Sequence, residues 1–195
     1  QSALLEAMEE GQVTVDGVSH RIPEPFCVFA TQNPTGASGT QLLPDSQMDR
    51  FTVRLSIGYP APADEREILL SRQKGNPLLQ VRQVVTELLS MQQEAANVYV
   101  KPELADYIVS LVGKTRQDPM IARGASPRAT LSLGAMAKSV AYVQGRDYVL
   151  PKDIQAVFVS TCAHRLLLSA EADAKGMRAE ELLESILKST PAPRI

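Results

Sequence analysis

The sequence predicts an α/β segment confined to the first 60 residues, followed by an all-helical bundle, so that the chain is mostly helical. Three observations predict it. The apolar run Phe26-Cys27-Val28-Phe29-Ala30 ends in the polar Thr31-Gln32-Asn33 and is stopped by Pro34, which is how a buried parallel strand reads. Thr52 to Ile57 alternates Thr, Arg and Ser with Val, Leu and Ile, the period of a half-buried strand. From residue 86 onward the apolar residues recur only at helical spacing.

The elements follow in order. Leu4, Leu5 and Met8 share a helical face over residues 1–10, and Gly11 is its stop. The chain opens on Gln1 directly in helix-like sequence, as a piece of a longer protein does. Residues 13–22 read as a β-hairpin with Asp16-Gly17 at a two-residue turn, Val15 opposite Val18 and Val13 opposite His20. His20 is then a half-exposed strand residue rather than a base. Residues 35–47, rich in Gly, Ser, Thr and Gln, read as a surface loop suited to ordering on binding. Gly58-Tyr59-Pro60-Ala61-Pro62 marks a boundary. Asp64 with Glu67 has the form of an N-cap and its reciprocal partner, and Gly75-Asn76-Pro77 breaks the helix that follows.

Beyond residue 86, Leu104, Ile108, Leu111 and Val112 form one apolar stripe. Leu131, Ala135, Met136, Ser139, Val140 and Val143 form a second. Pro151 opens a helix with Ile154, Val157, Phe158 and Cys162 on one side. A last helix over 180–188 ends before Pro191 and Pro193.

Composition narrows the function classes. Hydrophobic content of 44% and charged content of 22% describe an ordinary globular protein. A net charge of −2 argues against a chain whose main task is neutralising nucleic-acid phosphates. No apolar stretch approaches the roughly 20 residues that cross a bilayer. Cys27 and Cys162 both sit in apolar runs and read as buried free thiols, as in a cytoplasmic protein. With no C-x-x-C and two histidines far apart, no metal site is expected.

Three side chains carry the functional reading. Asn33, at the carboxyl end of a parallel strand, faces the crevice where open α/β sheets bind ligands. Its amide is able to accept from an attacking water and donate to a γ-phosphate oxygen; the alternative is a cap on the turn before Pro34. Thr31 and Gln32 are weaker candidates. Arg50 offers a planar, permanently charged fork to phosphate oxygens; its alternative is a surface pair with Asp49, and Arg54 competes for the role. Ser126 and Pro127 make an N-cap and first helical position, so Arg128 falls in the first turn. There the helix dipole disfavours a cation by roughly 0.3–1 kcal/mol, a sign that a bound anion reverses. Arg123 is placed to share that role. Adjacent carboxylates such as Glu9-Glu10 and Glu180-Glu181 diverge on a helix and read as solvated faces. No G-x-x-x-x-G-K-[ST] phosphate loop occurs in the 195 residues.

Four segments in order resemble parts of a MoxR-type AAA+ ATPase. Residues 1–10 resemble the helix after the family's Walker B acids, and Ala30-Thr31-Gln32-Asn33-Pro34 its first sensor motif. Met48-Asp49-Arg50-Phe51 resembles its arginine-finger segment, where leucine is usual in place of Met48, and Gly124-Ala125-Ser126-Pro127-Arg128-Ala129 its second sensor motif. The likeness covers nearly the whole chain. It implies a remnant of an AAA+ P-loop NTPase core, two parallel-sheet strands plus the hairpin, over 1–59. Connecting helices follow over 60–101 and a helical lid domain over 102–195.

The resemblance also implies function. The intact protein would hydrolyse ATP with Mg²⁺ as a ring, usually a hexamer, in the cytoplasm. It would remodel or activate partner proteins, often ones carrying a von Willebrand factor A domain, with nucleic acid not expected as a partner. Asn33 would serve the γ-phosphate of its own subunit, Arg50 the neighbouring site, and Arg128 would read nucleotide state from the lid, within its own subunit or across the interface. The hairpin would point toward the ring's pore. Without Walker A and Walker B, the 195 residues alone are expected to be inactive and to bind no nucleotide tightly. A magnesium-chelatase or helicase type of AAA+ motor, and a non-enzymatic helical interaction module, are the alternatives.

Overall fold

The computed structural model describes residues 6–8, 10–32, 43–71 and 87–194. The first helix, α1, is described at residues 6–8 and 10. It stops where Gly11 turns to φ +63° and its N–H bonds Ala7 O at 3.2 Å. Strands β1 (Gln12–Val15) and β2 (Val18–Arg21) then pair antiparallel in the expected register, Val13 with His20 and Val15 with Val18. Asp16 at φ 50° and Gly17 at φ 79° supply the two positive-φ positions that a type I′ turn demands. His20 is exposed.

The two expected parallel strands differ from the sequence reading. Among the described residues, 26–32 and 52–57 carry no strand ladder, and Phe29, Leu55 and Ile57 are 93, 76 and 97% exposed. The physical reason is non-local. A parallel strand needs a ladder of hydrogen-bonding strands on its edges and helices on its faces, and no described strand pairs with these runs. Cys27 is accordingly exposed rather than buried, while Cys162 is buried as expected. The loop expected over 35–47 contains one helical turn, α2 (Asp45–Met48).

Helix α3 (Pro62–Ser71) begins two residues before the expected cap, because Pro62 opens it and Asp64 falls in the first turn. The expected break at 75–77 lies outside the described residues. Five longer or shorter helices then build the bundle with α4 (Leu88–Ala96): α5 (Pro102–Thr115), α6 (Pro127–Val143), α7 (Pro151–Cys162), α8 (Ala170–Ala174) and α9 (Ala179–Ser189). Prolines 102, 127 and 151 each open a helix, where a missing N–H costs nothing. The bundle is not purely helical. β3 (Ile121–Arg123) pairs antiparallel with β4 (Leu167–Leu168), just after a 3₁₀ turn at Ala163–Arg165.

The core sits among α5, α6, α7 and α9, around Phe158, Leu104, Leu111, Leu133, Ile154 and Leu183, all fully buried. Burying side chains of this size contributes roughly 1.5–3 kcal/mol each. The α5 and α7 stripes are those read from the sequence. The α6 stripe holds only in part, with Met136 and Val140 half-buried against the core. The buried face of α6 is Ala129, Leu133, Ala137 and Ala141, whereas Leu131 is 76% and Val143 80% exposed. The four buried residues recur every four positions, and three of them are alanine, which lets α6 lie close against its neighbours, so the smaller face wins the interior. The larger face borders an apolar groove of about 650 Å³ with α4 and α5. No helix among the described residues is long and apolar enough to cross a membrane.

Candidate functional site

The turn that carries Arg50 is built on α2. Asp49 N–H bonds Asp45 O, Arg50 N–H bonds Gln47 O at 3.2 Å, and Phe51 N–H bonds Met48 O at 3.1 Å. The last two are three-residue closures that tighten the end of the turn. Arg50 itself is half-buried.

The bundle grips this turn from above. Arg165, only 5% exposed, donates from Nη2 to Asp49 O (3.1 Å), Phe51 O (2.8 Å) and Ser132 Oγ (3.1 Å), and from Nη1 to Thr161 O (3.2 Å). Its Nε lies 3.1 Å from Asp49 Oδ1 but off the N–H direction, so that contact is ionic rather than a hydrogen bond. The Asp49 carboxylate also accepts from Ser126 Oγ, at 3.2 and 3.0 Å. Ser126 is indeed the N-cap residue of α6, but its side chain makes no capping bond. Its hydroxyl is committed to Asp49 instead.

His164 adds a second donor to Phe51 O, from Nε2 at 2.9 Å. Since a carbonyl only accepts, the proton sits on Nε2, which leaves the buried Nδ1 as an acceptor without a hydrogen bond. Burial pulls the His164 pKa down, with Arg165 and Arg54 acting the same way against the Phe51 carbonyl and Asp49. The ring is therefore neutral near pH 7. Burial likewise lowers the Arg165 pKa; Asp49 opposes it, and the positive charge of Arg128 adds to the lowering. The guanidinium stays charged in any case.

Arg128 is exposed in the first turn of α6, as expected, and its charge reaches Arg165. Arg165 thus lies against the Asp49 carboxylate, Arg50 adjoins Asp49 in the chain, and the charge of Arg128 acts on Arg165, so positive charge gathers beside this turn. Arg123 pairs with Asp45 at 2.6 Å across a solvent-exposed gap, a contact of little energetic weight. Arg54, the competitor to Arg50, is committed elsewhere. Its N–H bonds Ser160 O at 2.9 Å and its Nη2 lies 2.6 Å from Glu180 Oε1. Glu180 is therefore not a purely solvated face. Burial would raise its pKa, but its own N–H and the Arg54 guanidinium outweigh that and hold it low.

Asn33 lies outside the described residues; Thr31 and Gln32 are exposed. Sequence reasoning missed Arg165 and His164. The signal was present in Cys162-Ala163-His164-Arg165-Leu166-Leu167-Leu168, where two polar residues interrupt an apolar run and must find buried partners. Among the described residues no group of three or more His, Cys, Asp or Glu is placed to hold a metal ion.

Comparison with known proteins places the chain among AAA proteins. The profile of the ATPase family associated with various cellular activities (AAA) matches residues 1–53, and that of the AAA lid domain residues 113–186. The chain is 41% identical to the YeaC protein of Bacillus subtilis, itself uncharacterized, over 99% of its length and 61% of that protein. It is 39% identical to the chaperone MoxR1 of Mycobacterium tuberculosis over its whole length and 54% of that protein. A crystal structure from Cytophaga hutchinsonii, of a protein assigned as an ATPase, superposes with a TM-score of 0.89 at 35% identity. It covers 99% of this chain and 62% of that one. The chain thus spans a little over half the length of these relatives. With an AAA ATPase profile and an AAA lid profile in sequence order and MoxR relatives along its length, the chain belongs to the MoxR-type AAA+ ATPase family.

Proposed function

We propose that the chain is the sensing and transmitting part of an ATP-hydrolysing ring. The observation that carries this reading is the docking of the Arg50 turn onto the start of α6 through Asp49, Ser126 and Arg165. In the whole protein Arg50 stabilises the charge that spreads over the transferred phosphoryl group in a neighbouring subunit. Such a finger is worth about 10³–10⁵ in rate. Asn33 positions water at the γ-phosphate of its own subunit, and Arg128 reads the nucleotide from the lid. The division into core over 1–59, connecting helices over 60–101 and lid over 102–195 belongs to the same proposal. So do a hexameric ring, cytoplasmic location, and chaperone-like action on a partner carrying a von Willebrand factor A domain.

The exposed Phe29, Leu55 and Ile57 support it. They form the kind of surface that a larger sheet and its helices cover. Mg²⁺ is the family's ion, but the described residues hold no carboxylate cluster to fit it, so no step is assigned to it here.

Subunit mixing tests the reading. Arg50→Ala protein should bind ATP yet turn over at least about 10³-fold more slowly. Mixed with a second variant defective in ATP binding, it should regain activity, because the intact Arg50 of the second serves the intact site of the first. Rates that never exceed the weighted sum of the two variants, with subunit exchange demonstrated, would sink the proposal.

A further inference from the structure

A guanidinium buried as deeply as Arg165 is costly to desolvate, and an apolar side chain would fill the same space at lower cost. What distinguishes Arg165 is where its bonds go. Of its protein partners, Asp49 O, Asp49 Oδ1 and Phe51 O belong to the two residues that flank Arg50. The Asp49 carbonyl lies in the peptide plane just before Arg50, the plane just after it is held by Phe51 N–H on Met48 O at 3.1 Å, and Phe51 O anchors the plane beyond, so together these bonds fix the direction in which the Arg50 side chain leaves the backbone. The Asp49 carboxylate then reaches Ser126, two residues before Arg128.

We propose that Arg165, Asp49 and Ser126 are positioning residues that make the Arg50 turn and the Arg128 helix start one rigid unit, so that nucleotide state at Arg128 sets the aim of Arg50. This rests on the roles given to Arg50 and Arg128 above. A misplacement of about 1 Å in a reacting geometry costs on the order of 10²-fold in rate. Loosening this unit should therefore slow turnover without weakening ATP binding. Ser126 is the sharpest probe, since its hydroxyl makes no helix-capping bond whose loss would confuse the result.

The experiment is a set of double-mutant cycles in the whole protein. Ser126→Ala and Arg165→Met should each lower kcat by about tenfold or more, with KM for ATP within about twofold and Ser126→Ala melting close to wild type. Combined with Arg50→Ala, neither should slow the enzyme beyond Arg50→Ala alone, because both act through Arg50. A non-hydrolysable ATP analogue should slow amide exchange at residues 49–51 in wild type and not in Ser126→Ala. Additive losses, a KM effect matching the kcat effect, or an unchanged exchange response in Ser126→Ala would each overturn the proposal. If Arg165→Met does not fold, the Ser126→Ala arm decides alone. The two ideas fail differently. Arg50→Ala turning over at the wild-type rate removes the finger itself, whereas a slow Arg50→Ala with additive double variants removes only the positioning unit.

Discussion

Gly124→Ala should destabilise the bundle by about 3 kcal/mol, although Gly124 has no unusual backbone angle. The residue opens the segment that leads into α6, and it passes directly over the end of α5. A Cβ at this position would lie 2.6 Å from Thr115 O and 2.7 Å from both Cα and N of Arg116. All three are backbone atoms, so no side chain can swing aside. Reaching ordinary contact at about 3.5 Å requires the segment to lift by nearly 1 Å. Overpacking of this kind costs about 1–3 kcal/mol. The lift also strains Ala125 N–H to Thr115 Oγ1 (3.0 Å) and Arg116 Nε–H to Ala125 O (2.8 Å), each worth about 1 kcal/mol. A chain of this length loses about 2–4 °C in Tm per kcal/mol, so thermal unfolding should shift down by about 6–12 °C on the same scale. A shift under about 2 °C would refute the close-approach argument. The same lift would carry Ser126 away from Asp49, so the variant tests the base on which the Arg50 turn is seated.

Other consequences are equally open to measurement. Because the folded His164 pKa is lowered, the unfolded chain binds a proton that the folded chain refuses. Stability should fall as pH drops from about 6.5 toward the lowered folded value. His164→Gln, which keeps an amide donor for Phe51 O, should flatten that slope; identical slopes would contradict it. A thiol reagent at pH 8 should label Cys27 rapidly and Cys162 only on unfolding, since burial pushes the Cys162 thiol up to about 12; rapid labelling that persists in Cys27→Ser would refute this. Leu133→Ala should cost about 2–5 kcal/mol and Leu131→Ala within about 0.5 kcal/mol, and the reverse order in urea melts would overturn the assignment of the buried face of α6.

What was legible in the sequence is what local chemistry decides. Asp16-Gly17 fixes the hairpin turn and with it the register, and Pro127 and Pro151 mark two helix starts to the residue. The α5 stripe is legible because its opposite face is polar. Helix α6 has apolar residues on two faces, and periodicity cannot rank them. Hydrophobic weight favours Leu131 and Val143, but close packing favours the small side chains of Ala129, Ala137 and Ala141. The runs at 26–32 and 52–57 fail for the opposite reason. Their apolar patterns are real, but a strand is a relation between segments, and these meet no ladder partner among the described residues.

The site divides along the same line. Residue type and local position single out Arg50 and Arg128, because a cation beside a turn or at a helix start is costly without an anion nearby. Nothing local announces that the two segments meet. Asp49 finds Ser126 across 77 positions and Arg165 across 116, and those pairings exist only once α6 and α7 have packed. A buried arginine in an apolar run does announce that a carboxylate and free carbonyls must lie somewhere within reach. The chain offers many carboxylates, however, and only folding selects the one beside Arg50. Charge placement in the sequence thus singles out the candidate parts of this site, while the packing of the alanine face of α6 brings their segments together.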